Sequence, residues 1–406
     1  MTAYQIPFFR PDIGEEEIAE VISVLRSGWM TSGPRVQRFE REFAAAVGAA
    51  HAVAANSGTA ALHLAVEALG LRGGEAVLVP AMTFAATAEV VRYQGAIPVL
   101  VDCEPDTCNI DLGDAERKMH ALRRGDLTGV PRDATVTGLM PVHVGGFMAD
   151  MEKIRSFSEA HQVWVVEDAA HAFPSAWRPD AHAKWQRCGE NTSAVTCFSF
   201  YANKTITTGE GGMALSANAD LAERMRIMSL HGLSRDAWGR YSGKGTWDYR
   251  IIAPGFKYNM TDTLAAIGVH QVAKAEALRQ KRQQVAEFYF TALDDLEQIE
   301  LPPISEDRVH SWHLYPIKLQ LDRLSITRNT FAELLKEAGV GFSVHWRPLH
   351  LHPYYQETFG WVPADCPVAS TVWERLISLP IFPGMTDMEL EYVVGMIRGI
   401  CKRYAR

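Results

Sequence analysis

The chain has 406 residues, 47% of them apolar and 22% charged, with a net charge of −8. That length exceeds one small core, and the composition is that of an ordinary globular protein, which excludes disordered and fibrous classes. The acidic balance excludes general nucleic-acid or anionic-membrane binding, yet leaves room for a small anion held by a few local donors.

From about residue 50 to 217, short β-branched runs alternate with helical stretches. The expected order is strand His51–Ala55, helix Gly58–Gly70, strand Ala76–Val79, helix Thr83–Gln94 and strand Ile97–Val101. Strand Val136–Val142, helix Met151–His161 and strand Val163–Val166 follow, then strands Val195–Phe200 and Gly212–Ser216. Such alternation predicts an α/β domain with a mostly parallel sheet covered on both faces, and ligands at the carboxyl ends of its strands. A long helix is expected over Thr261–Leu296. Beyond Pro302-Pro303 come strand Leu314–Leu319, helix Thr327–Ala338, strand Gly341–Trp346 and closing helices. Two domains result: residues 1–260, large, and residues 261–406, the long helix with a smaller α+β unit.

The six cysteines (Cys103, Cys108, Cys188, Cys197, Cys366, Cys401) form no CxxC pair, as expected of thiols in a reducing cytosol. The N-terminal stretch MTAYQIPFFRPDIGEEE lacks the charged and apolar regions of a signal peptide, so a cytoplasmic protein is expected. No uncharged apolar run approaches the roughly 20 residues of a membrane span. Fourteen histidines include the close pair His350 and His352, but no matching motif accompanies them and no metal is expected.

Three strand ends carry candidate chemistry. Asn56-Ser57-Gly58-Thr59 lies between a strand and a helix, where free N–H groups and hydroxyls suit a phosphate; a plain Ser or Thr helix cap explains the same residues. Asp168 ends the apolar strand Val165-Val166-Glu167-Asp168, and a buried carboxylate there needs a partner such as a protonated ring nitrogen. His171, three residues on, is either a donor near that site or a satisfied polar group. Lys204 sits alone in SFYANKTITTGEGG between two apolar strands, where desolvation favours a neutral, nucleophilic amine. A phosphate nest, a carboxylate for a cationic ring nitrogen and an amine are together what pyridoxal phosphate requires.

The motifs resemble those of the DegT/DnrJ/EryC1/StrS family of sugar aminotransferases, within the fold type I pyridoxal-phosphate enzymes. The likeness runs from SGWMTSGP (27–34) to LPIFPGMT (379–386). The family pattern SFHxxKxxTxGEGG stands here as SFYANKTITTGEGG, which implies a Schiff-base role for Lys204; Tyr201 replaces the usual His. EDAAH implies Asp168 at the ring nitrogen and His171 near the ring hydroxyl. NSGTAAL implies phosphate contacts from Ser57, Gly58 and Thr59, joined by Ser199, and PAMTFAAT implies Phe84 over the ring face. GFKYNMTD (255–262) implies that Asn259 reaches the phosphate of a second subunit, making the active unit a homodimer with shared sites. The KYN form, HGLSRDAW (231–238) and LPIFPGMT also resemble members similar to UDP-4-amino-4-deoxyarabinose aminotransferase, which leans toward 4-keto sugars. The implied reaction moves an amino group from L-glutamate, leaving 2-oxoglutarate, to a nucleotide-linked keto sugar. Trp29, Thr31 and Gly33 are sugar-side candidates and Arg347 a candidate for an anionic group. Three alternatives remain: a pyridoxamine-dependent dehydratase, which has His in place of the lysine; a cyclitol or 3-keto-sugar aminotransferase; and a non-enzymatic regulator.

Overall fold

The computed structural model describes residues 5–190, 193–234 and 249–406. Residues 235–238 of the HGLSRDAW stretch lie outside the described residues. Helices α1 (Glu15–Ser27) and α2 (Pro34–Val47) come first. Then follow β1 (His51–Ala55), α3 (Gly58–Ala68), β2 (Glu75–Pro80), α4 (Ala85–Tyr93), β3 (Ile97–Val101), α5 (Leu112–Arg124), β4 (Thr135–Leu139), α6 (Met151–His161) and β5 (Trp164–Asp168). A short pair, β6 (Ala176–Trp177) and β7 (Gln186–Arg187), precedes β8 (Val195–Ser199), β9 (Gly212–Ser216) and α7 (Ala219–Ser229).

Among the described residues, seven strands form one sheet in the order β1-β9-β8-β5-β4-β2-β3. Neighbours from β3 to β8 are parallel, whereas β9 runs antiparallel to both β8 and β1. Alternate strand residues feed two cores, as the twofold period of a strand dictates. Val77 and Val79 pack with Leu64, Val90 and Met225 on one face; Ala76 and Leu78 pack with Phe43, Met119 and Ile154 on the other. This is the mostly parallel α/β sheet, covered on both faces, that the sequence predicts.

Helix α8 (Asp262–Leu293) has 32 residues, capped by Thr261, whose hydroxyl accepts from the Leu264 N–H. Its first half, with Ala265, Val269 and Ala275, belongs to a core of the large sheet. Its second half, with Val285, Tyr289 and Leu293, belongs to a third core. That core also holds β10 (Ile299–Glu300), β12 (Tyr315–Leu319), α9 (Arg328–Glu337), β13 (Leu376–Leu379) and α12 (Asp387–Arg403), with β10, β12 and β13 forming an antiparallel sheet. Between these elements β11 (Arg308–Val309) returns to pair with β6. Residues around α10 (Pro353–Phe359) and α11 (Pro367–Trp373) pack against the α3/α4 side of the large sheet. Asp102, just past β3, accepts from the Val368 and Ala369 N–H groups at 2.9 and 2.8 Å and caps α11 there.

The strand expected at Gly341–Trp346 is absent among the described residues. Ile6 pairs with Val340, and Ser343 makes a single bridge to Ser378. The chain then bends away, and Trp346 stacks on His171 rather than continuing a ladder.

Candidate functional site

The carboxyl ends of β1, β2, β5 and β8 face the start of the reversed strand β9, and the candidate residues gather there. Ala55 and Ser199 both pair with Gly212. Ser57 caps α3: its Oγ accepts from the Ala60 N–H at 3.0 Å, and its carbonyl accepts from the Ala61 N–H at 3.1 Å. The Gly58 and Thr59 N–H groups of that first turn find no acceptor among the described residues, leaving the positive helix end open to an anion. Two glycines let the backbones meet. A Cβ on Gly58 would lie 2.8 Å from Ser199 Cβ, and one on Gly212 would strike the Ser57 carbonyl and lie 2.7 Å from the Gly58 nitrogen.

Asp168 ends β5 and is buried. Thr87 Oγ1 donates to its Oδ2 at 2.7 Å, and the Ala170 N–H donates to its Oδ1 at 3.1 Å. Burial pushes the carboxyl above its ordinary range, opposed by the Thr87 hydroxyl, the Ala170 N–H and the positive charge of Lys204. Behind it, His143 Nε2 pairs with Glu167 at 2.8 Å, and Thr196 Oγ1 donates to the other Glu167 oxygen at 2.9 Å. His143, Glu167 and Cys188 bring potential metal ligands within 4.8 Å of one another. However, His143 Nδ1 already accepts from the Ala149 N–H, so these bonded atoms serve to buttress β5.

Lys204 follows β8 in a loop, and its backbone N–H donates to the Tyr201 carbonyl at 2.9 Å. Burial brings its amine down to about 8, against the pull of Asp168. His171 Nδ1 accepts from the Gly145 N–H at 3.3 Å, which leaves Nε2 to carry the ring proton. Burial, with Lys204 and His345 nearby, holds this imidazole neutral, well below the ordinary histidine range. The Phe84 ring, at the start of α4, is 63% exposed and so has a free face.

The remaining candidates have other partners. Asn259 bridges to Ala55 of its own chain, and its Nδ2 donates to Ser32 Oγ at 2.7 Å. Trp29 Nε1 donates to the Ser32 carbonyl at 3.2 Å, and the Thr31 carbonyl accepts from the Asp262 N–H. A Cβ on Gly33 would collide with the Trp29 indole. Residues 29–36 are thus sealed onto 259–262. Arg347 is exposed, with its guanidinium 5.6 Å above the Trp373 ring.

Four residues escaped the sequence reading: Thr87, His345, Trp346 and His313, whose ring packs 4.2 Å from that of His171. Thr87 did leave a signal, since it lies four residues after Thr83 within PAMTFAAT, on one face of the helix expected over Thr83–Gln94. The other three come from the chain beyond α8 and left none.

Residues 11–398 match the DegT/DnrJ/EryC1/StrS aminotransferase family. The chain belongs to that family. This aminotransferase is therefore an enzyme, and its cofactor is pyridoxal phosphate. The chain is 41% identical over 398 residues to the spore coat polysaccharide biosynthesis protein SpsC of Bacillus subtilis, covering 98% of this chain and 97% of that protein. The putative sugar aminotransferase Spr1654 of Streptococcus pneumoniae, solved in PMP and PLP forms, superposes with a TM-score of 0.85 at 31% identity. The match covers 98% of this chain and 98% of the PMP form. DesV of S. venezuelae, in complex with a ketimine intermediate, gives a TM-score of 0.84 at 28% identity, covering 98% of this chain and 99% of its own. Among the described residues of this aminotransferase, no helix is long and apolar enough to cross a membrane.

Proposed function

We propose that this aminotransferase moves the amino group of L-glutamate to the keto group of a nucleotide-linked sugar, with a lean toward 4-keto sugars. The observation that carries the reading is the meeting of Lys204, Asp168 and the Ser57–Thr59 cradle at one edge of the sheet. Each part of that set fits the cofactor. Gly58 and Gly212 keep the cradle clear of side chains, the Gly58 and Thr59 N–H groups await an anion, and buried Asp168 suits a cationic ring nitrogen.

When bound, the cofactor supplies an electron sink and carries the amino group from donor to acceptor. The Gly58 and Thr59 N–H groups, with the Ser57 and Ser199 hydroxyls, would hold its phosphate. Asp168 would keep the proton on its ring nitrogen, and Phe84 would offer its free face to the ring. His171 would offer its Nε2–H to the ring hydroxyl. Lys204 would provide the point of attachment and move the proton at the reacting substrate carbon. An amine near pH 8 is roughly a tenth neutral at pH 7, enough to act as both nucleophile and base.

The working unit in this reading is a homodimer in which the 255–262 segment completes the partner's site through Asn259. Ile251 and Ile252, just before that segment, are 69% and 55% exposed, and a second copy would cover them. Trp29, Thr31, Gly33 and Arg347 belong to the sugar side of the same pocket. The substrates are small molecules, the amino sugar serves polysaccharide synthesis, and the enzyme works in the cytoplasm.

The test is a panel of nucleotide keto sugars, incubated with enzyme and glutamate and followed by mass detection of the amino sugar. Cyclitol ketones and 3-keto sugars run beside them. Turnover of those alone would overturn the 4-keto-sugar reading.

A further inference from the structure

Ser311, His313 and Leu314 lie on the stretch that leads into β12, yet all three act on His171 beyond the end of β5. Ser311 Oγ donates to the His171 carbonyl at 2.6 Å, while the Ser311 N–H donates to Ser175 Oγ at 3.1 Å. The His313 ring packs against the His171 ring, with centroids 4.2 Å apart and planes at 49°. The Leu314 N–H donates to the Gly145 carbonyl at 3.1 Å, and the Gly145 N–H donates to His171 Nδ1. One four-residue segment therefore meets the carbonyl and the ring of His171 and, through Gly145, its Nδ1. Trp346 adds a second ring, stacked at 5.1 Å and 19°.

This arrangement carries a conformational cost. Trp312 has a φ of 51°, in the left-handed region where a bulky side chain is strained. His313 is 3% exposed, and neither ring nitrogen has a hydrogen-bond partner among the described residues. A buried imidazole with unpaired nitrogens is less stable there than an apolar ring would be. Hydrogen bonding within the fold therefore does not account for this side chain. Its contact with His171 does. Burial, with His171, Lys204, Arg282 and His345 around it, keeps the His313 ring neutral, so it brings no charge to its neighbour.

We propose that His313 is a positioning residue. Its ring holds the His171 imidazole in the single orientation in which Nδ1 accepts from Gly145 and Nε2 carries the proton. The catalytic value of that orientation rests on the reading, given above, that His171 Nε2–H meets the ring hydroxyl of the cofactor.

The test compares two variants. His313→Leu keeps most of the volume and loses the ring; His313→Phe keeps a ring and loses the nitrogens. Both apoproteins should melt at or above the wild-type temperature, because no unpaired nitrogen stays buried. With 15N-labelled histidine, His171 should show one Nε2–H tautomer in wild type and His313→Phe, and an average of two in His313→Leu. In the loaded enzyme, the pH midpoint of visible absorption should move by about half a unit or more in His313→Leu. Turnover should fall about tenfold with it, and both should recover in His313→Phe. An unchanged His171 signal in His313→Leu overturns the proposal, as does identical behaviour of the two variants. If the larger Phe prevents folding, His313→Leu is read against wild type by the same spectra, and an unchanged His171 signal there still overturns the proposal. A lost tautomer with an unmoved absorption midpoint supports the positioning role and instead sinks the contact between His171 and the cofactor.

Discussion

Thr87 donates its hydroxyl to Asp168 across 81 residues of sequence, from the first turn of α4 to the last residue of β5. With the Ala170 N–H on the other oxygen, the pair opposes the upward push that burial gives this carboxyl. Thr87→Val keeps the shape and removes the donor, so Asp168 should titrate at higher pH. The acid limb of the kcat/KM profile should then move upward, and stability should fall by about 1–3 kcal/mol for the unmet acceptor. Thr87→Ser should restore both. A pH profile of Thr87→Val that overlays wild type would show that the hydroxyl does not govern Asp168.

Lys204 should react with amine-directed reagents in the apoprotein with a midpoint near pH 8, well below the 10.5 of an ordinary lysine. The sign of a second change follows from the same charges. The Asp168 carboxylate raises the Lys204 value, so Asp168→Asn should lower the midpoint further. Peptide-resolved labelling across pH measures both. After loading, borohydride should fix the pyridoxyl group on Lys204, and a label on any other lysine would sink its role.

Gly212→Ala should weaken cofactor binding without touching a catalytic group. Its methyl would press on the Ser57 carbonyl and the Gly58 nitrogen, displacing the start of α3. Apoprotein titrated with pyridoxal phosphate should show a loss of at least about tenfold in affinity, equivalent to about 1.4 kcal/mol. Equal affinity in wild type and variant would place the phosphate elsewhere.

Shared sites predict complementation. Lys204→Ala and Asn259→Arg are each expected to be inactive, but a coexpressed heterodimer holds one site with both lesions and one with neither. Random pairing gives such heterodimers in up to about half of the population. Should verified heterodimers stay as inactive as either parent, Asn259 serves the chain whose Ala55 it bridges.

Strands buried on both faces read as unbroken apolar runs, and for that reason β1, β3 and β9 were legible in the sequence to the residue. The direction of β9 was less plain, because an apolar run looks alike either way. Residues 200–211, which join β8 to β9, contain no helix, and a parallel crossover needs a connection of that kind. Gly341–Trp346 misled because its pattern is a strand's, while Ile6 occupies Val340 and Trp346 is drawn to His171. The site divides in the same manner. Lys204, Asp168 and Ser57 stand at strand ends, where local pattern exposes them. His313 reaches His171 only because the chain returns after α8, and no short-range spacing encodes that meeting.

Helix α8, roughly 48 Å long at 1.5 Å per residue, has no linker on its route from one core to the other. The passage along α8 is helical throughout, and neither half can be expressed alone without tearing a wall from its own interior. The protein should therefore lose both cores in a single calorimetric transition. Any lineage that inherited this arrangement would meet the interior of a helix, not a linker, where the first core gives way to the third.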